Sequence, residues 1–158
     1  MTLFVLDDII KNPDEYVEDV LQNAFVDVED SPGVFFKGIQ PRMNDEVEKF
    51  VLKLFPSYGV SYNFIRQSPY MQDEPNFIHT DEMMGDKTVL VYLNKNHPDN
   101  AGTTLYTNNE EESVKVLMKY NRLVVFDSYH KHSRNLLENF GEKENSRLVQ
   151  VLFLKKDE

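Results

Sequence analysis

The chain has 158 residues, enough for one domain that buries about two-thirds of the surface its unfolded form exposes. With 17 basic against 27 acidic residues its net charge is −10, which repels a phosphate backbone and argues against an extended nucleic-acid footprint. There is no cysteine, so disulfides and thiolate-bound zinc are excluded, and no apolar run approaches the roughly 18 residues that span a bilayer.

The opening Met1 to Asp8 lacks a basic region and its apolar run stops at an acidic pair, so it reads as a first strand rather than a signal peptide. A soluble, cytoplasmic protein with no membrane partner is the expectation. Asn12-Pro13 then offers a helix N-cap with proline at the first helical position. Tyr16, Val17, Val20, Leu21 and Ala24 follow at helical spacing, with Asp14, Glu15, Glu18 and Asp19 on the solvent side. Asp30-Ser31-Pro32-Gly33 signals a turn, and Val34-Phe35-Phe36 a short strand. A second amphipathic helix is predicted from near Asn44, with Val47, Phe50, Val51, Leu54 and Phe55 on one stripe and Pro56 as its stop.

After Gly59 the pattern changes to short extended runs, predicted at 61–66, 76–80, 88–93, 103–106, 114–118, 123–126 and 147–154 and separated by turn formers. Helices first and strands after predict a mainly β protein with flanking helices. The expected architecture is a double-sheet jelly-roll, or double-stranded β-helix, with the N-terminal helices packed on one sheet. No repeat or linker-like tract interrupts residues 1–158, which are read as a single domain.

His79-Thr80-Asp81 is the stretch that suggests chemistry. Residues two apart on a strand project from one face, about 6.6 Å apart, close enough to share a metal ion. With one further histidine they form the two-histidine, one-carboxylate set that holds non-haem Fe(II) and leaves coordination positions open. His130 and His132 have the same strand parity, so alternation alone does not choose between them as third ligand. His97 lies in a loop of turn formers and reads as surface.

The order of motifs resembles the Fe(II)/2-oxoglutarate-dependent oxygenases, within them the prolyl-hydroxylase-like group and its small phage and bacterial members. The residues that carry it are His79-Thr80-Asp81, Tyr92-Leu93-Asn94, Ala101-Gly102-Thr103 in place of a Gly-Gly-Thr turn, the run Arg122 to His132, and Arg147-Leu148-Val149. The resemblance implies Fe(II), 2-oxoglutarate and O₂ as cofactor and cosubstrates. It implies His79, Asp81 and His132 as metal ligands and catalytic residues. His132 is preferred over His130 because it stands six residues beyond Phe126, the group's usual register, which leaves His130 at the rim. It further implies Arg147 as the cation for the far carboxylate of 2-oxoglutarate, Tyr92 as a hydroxyl contact, and Arg66 as a further cosubstrate candidate. Arg134 is expected to point to the rim. Relative to the group, the interval from His132 to Arg147 is long, so 138–145 reads as an inserted loop.

The reaction implied couples decarboxylation of 2-oxoglutarate to succinate and CO₂ with oxidation, by hydroxylation, of an unidentified acceptor, a protein side chain or a small molecule. A non-catalytic jelly-roll binding module and a cupin-like metal protein that does not use 2-oxoglutarate are the alternatives.

Overall fold

In the computed structural model, residues 2–135 and 138–158 are described. Strand β1 (Leu3–Asp7) precedes helix α1 (Pro13–Gln22), β2 (Val26–Ser31) and β3 (Val34–Pro41). Helix α2 (Glu46–Leu54) is followed by β4 (Tyr58–Ser68), β5 (Lys87–Tyr92), β6 (Gly102–Tyr106), β7 (Glu112–Leu117) and β8 (Arg122–Asp127). The chain closes with β9 (His132–Arg134) and β10 (Arg147–Lys156). These strands form a seven-stranded sheet, ordered β1-β8-β5-β10-β4-β3-β2, and a three-stranded sheet, ordered β7-β6-β9, with antiparallel pairing throughout.

Period-2 alternation gives the larger sheet two apolar faces. One face carries Ile65, Val89, Val91, Leu123, Val125, Leu148, Leu152 and Leu154. They are buried in one cluster with Val20 of α1 and with Val47 and Val51 of α2. The residues between them, Tyr92, Val124, Phe126 and Val149, turn the opposite way and cluster with Ala101 and Leu105 of the smaller sheet's side. Each central strand is therefore apolar on both faces, and the second cluster is the floor of the space between the sheets.

The helices follow from local signals. Proline opens α1 as predicted, although the Asn12 side chain makes no capping bond. The N-cap of α2 is Asp45, whose Oδ1 accepts the Glu48 backbone N–H at 2.9 Å. Asp45 also receives Tyr16 Oη, Arg42 Nε and Gln150 Nε2 on its second oxygen, each at 2.9 Å. One carboxylate thereby joins a helix start to β10 across the buried face.

The predicted strand at 76–80 does not form. The segment makes a single bridge, in which the His79 and His132 backbones exchange N–H···O bonds of 3.0 and 2.9 Å. The ladder cannot run on because Asp127 to His130 close a turn, with His130 N–H donating to the Asp127 carbonyl. Asp81 N–H reaches the Ser128 carbonyl, at the start of that turn, at 2.8 Å. His79 and Asp81 are thus fixed by backbone bonds on either side of one tight turn.

Candidate active site

His79, Asp81 and His132 offer one ligand atom each, all within 4.8 Å of one another. His132 Nε2 lies 2.9 Å from Asp81 Oδ2 and His79 Nε2 lies 3.5 Å from Oδ1. The two imidazoles are oriented alike. His79 Nδ1 is 2.9 Å from the Phe77 carbonyl and His132 Nδ1 is 2.9 Å from the His130 carbonyl. A carbonyl only accepts, so in each ring Nδ1 is the nitrogen placed to donate to the backbone, which leaves Nε2 as the nitrogen that faces Asp81. Phe126 packs edge-on against His132 at 4.7 Å, and Phe77 lies 5.2 Å from His79. Side-chain exposure rises from 8% at His132 through 17% at Asp81 to 36% at His79, so the group opens on the His79 side. Neutral imidazole with carboxylate, in the absence of thiolate, is a donor set suited to Fe(II).

A second polar group lies between the sheets. Arg147 opens β10 with its side chain toward the inter-sheet space and lines a small cavity of about 10 Å³ with Ala101, Gly102, Arg134, Glu138 and Phe140. Burial, then the nearby Arg134 charge, lowers the Arg147 pKa to about 10, which leaves it cationic at neutral pH. Among the described residues no carboxylate stands within ion-pair distance of Arg147. The nearby carboxylate is Glu74, whose side chain is 1% exposed. It is 2.7 Å from Arg66 Nη2 and 4.0 Å from Arg134 Nη1, and accepts from Gln72 and Asn139 on its other oxygen. Desolvation opposes its ionisation, but Arg66 and these hydrogen bonds outweigh it and hold the carboxyl below its usual range.

No family model matches the chain, and no curated protein matches its sequence. Among solved structures it is similar to the non-haem alpha-ketoglutarate-dependent epimerase SnoN of nogalamycin biosynthesis, at 11% identity and TM-score 0.66, over 98% of this chain and 77% of that one. A prolyl hydroxylase from Trichoplax adhaerens, in complex with a hypoxia inducible factor peptide fragment, matches at 16% identity and TM-score 0.65, over 98% and 83%. A viral collagen prolyl hydroxylase from Paramecium bursaria Chlorella virus-1 matches at 11% and 0.64, over 100% and 91%. The fold is that of the Fe(II)/2-oxoglutarate oxygenases.

Within this oxygenase fold the structure brings together the three residues read from the sequence as ligands. His130 lies outside the group, with its Nε2 buried and unpartnered among the described residues. Tyr92 is buried, and its hydroxyl is engaged by Thr103 Oγ1 at 2.6 Å. Arg66 is held by Glu74 and by the Lys37 carbonyl. Arg134 differs from the expectation. It stands two residues beyond His132 on β9, so alternation turns it inward, to the cavity shared with Arg147. Sequence reasoning missed Glu74 and Asn139 altogether. Both lie in irregular loops with no periodicity to read, and they meet each other across 65 residues of chain.

Proposed function

We propose that this protein is an Fe(II)- and 2-oxoglutarate-dependent oxygenase, a hydroxylase, formed as one domain over residues 1–158 and working in the cytoplasm. The observation that carries the reading is the convergence of His79, Asp81 and His132 in the fold shared with such enzymes. Against a binding module with incidental histidines stand the convergence of these side chains and the place of Arg147 on the cavity.

The residues fit the groups they would hold. His79, Asp81 and His132 would ligate Fe(II), each imidazole locked in the correct tautomer by a backbone carbonyl. Arg147 would take the far carboxylate of 2-oxoglutarate, because a guanidinium enclosed without a carboxylate partner is stabilised by an anion. Tyr92, through the Thr103 bond, would fix the wall of that pocket, and Arg66 would act on it through Glu74. When bound, iron and cosubstrate supply the oxidising chemistry, in which O₂ is reduced, 2-oxoglutarate becomes succinate and CO₂, and the acceptor is oxidised. The protein's own part is to orient the ligands and to exclude water from the apolar inter-sheet floor of Val124, Phe126 and Val149.

The acceptor, a protein side chain or a small molecule, would approach from the His79 side, where Phe77 and Met83 are exposed. One structural neighbour holds a peptide fragment, which makes peptides a sensible first screen.

The test is anaerobic titration of the full chain with Fe(II) and 2-oxoglutarate. A metal-to-ligand charge-transfer band is expected in the wild type and in His130→Ala, and its loss in His79→Ala, Asp81→Ala and His132→Ala. No iron uptake and no band in the wild type sinks the reading. Iron uptake without succinate release in an acceptor screen points instead to a cupin-like metal protein.

A further inference from the structure

Three guanidinium groups, of Arg66, Arg134 and Arg147, gather round one buried carboxylate. Glu74 gives its short contact to Arg66 and reaches Arg134 only at 4.0 Å. Three guanidiniums against Glu74 leave a positive excess in this half-buried cluster, in a chain whose net charge is −10. Like charges brought this close repel, and a further anion among them would relieve the repulsion.

One buried polar group bordering the cavity, Asn135 Nδ2 beside Gly102, lacks a hydrogen-bond partner among the described residues and can donate. Arg134 lies on the same face of β9 as His132, about 6.6 Å along the strand. That offset suits a short ligand held by a metal at one end and by arginine at the other.

Resting on the oxygenase reading above, we propose that Arg134 is a second cosubstrate-binding residue, which grips the far carboxylate of 2-oxoglutarate together with Arg147. Asn139, accepting from Arg134 Nη1 at 2.7 Å, holds the guanidinium in place, and Glu74 fixes Asn139 from the other side. Arg134 thus ties recognition of the carboxylate to the seam between the loops at 70–75 and 138–141, which is also closed by Tyr70 N–H on the Gly141 carbonyl.

The decisive measurement compares two ligands by anaerobic calorimetry on the Fe(II)-loaded chain: 2-oxoglutarate, and 2-oxopentanoate, which has the same carbon length without the far carboxylate. In Arg134→Gln the affinity for 2-oxoglutarate is expected to fall by about tenfold or more, as for loss of a charged hydrogen bond, with 2-oxopentanoate and iron affinities unchanged. In Asn139→Ala, which frees the guanidinium but keeps it, the loss is expected to be smaller and again confined to 2-oxoglutarate. Equal loss for both ligands in Arg134→Gln, or no loss for either, overturns the proposal. If Arg134→Gln does not fold, Arg134→Met, which keeps an apolar stem without the charge, decides on the same criterion with the same ligand pair. A wild type that binds iron but neither 2-oxo acid defeats the oxygenase reading itself, an outcome distinct from these.

Discussion

At the scale of single residues, the metal group and the arginine pocket use fixed donors whose partners are on the backbone or buried. Arg147→Gln removes a cation that has no ion-paired carboxylate among the described residues, and 2-oxoglutarate binding should weaken by at least about thirtyfold, roughly 2 kcal/mol, in the same titration. The pH dependence has a definite sign. Arg147 is charged below its lowered pKa of about 10 and neutral above it, so 2-oxoglutarate affinity should hold from neutral pH to about 9 and fall as pH rises through 10. A flat affinity across that limb would show that Arg147 keeps its proton there. Arg134 shows how a residue was misjudged. Its place next to Ser133, after a presumed ligand, suggested the rim, whereas strand parity with His132 turns it inward.

Among the secondary-structure elements, two junctions carry more than their length suggests. Asp45 caps α2 and accepts from Tyr16, Arg42 and Gln150, so Asp45→Ala loses a cap and leaves Arg42 without its carboxylate. Destabilisation of about 3 kcal/mol is expected by urea unfolding, with the far-UV spectrum of the native state retained. Gly102, at φ +143°, is the other. A Cβ there would run into the Val116 carbonyl oxygen, so Gly102→Ala must shift β6 against β7. It should lower stability by about 1–3 kcal/mol and also weaken 2-oxoglutarate binding, since Gly102 lines the arginine cavity. By contrast Ala101, which stands where the resembled turn has its first glycine, is buried at 2% exposure and outside the positive-φ set, so its methyl is accommodated.

Over the whole molecule, the acidic balance is tempered by carboxylates that folding makes stronger acids. Hydrogen bonds from Arg122 bring Asp7 to about 2, and Asp45 and Glu74 are also held below their usual range, against desolvation, by the bonds and cations around them. Folded values below unfolded ones mean stability that is present above pH ~4.5 and lost as pH falls toward 2. Thermal melts should therefore show Tm level from pH 7 to 5 and falling steeply below 4. In Glu74→Gln that acid limb should be shallower, because one of the protons taken up on unfolding is removed. No helix among the described residues is long and apolar enough to cross a membrane.

The sequence by itself determined the two helices and most of the strands, because periodicity and turn chemistry are local properties. Residues 147–154 already read as a strand, and Pro13 and Pro56 already bound the helices, whereas β2 carries no such local signal and 76–80 forms no strand. It also determined which residue types were available to bind a metal. What only the tertiary structure decided are relations between distant segments. His132 rather than His130 meets Asp81 because a turn at 127–130 breaks the ladder and leaves just one bridge to His79. Glu74, Arg134 and Asn139 come together through loops whose conformation is set by their partners, not by any local pattern. His79 and Asp81 would carry the same letters in any chain, but the carbonyls of Phe77, Ser128 and His132 make them a site.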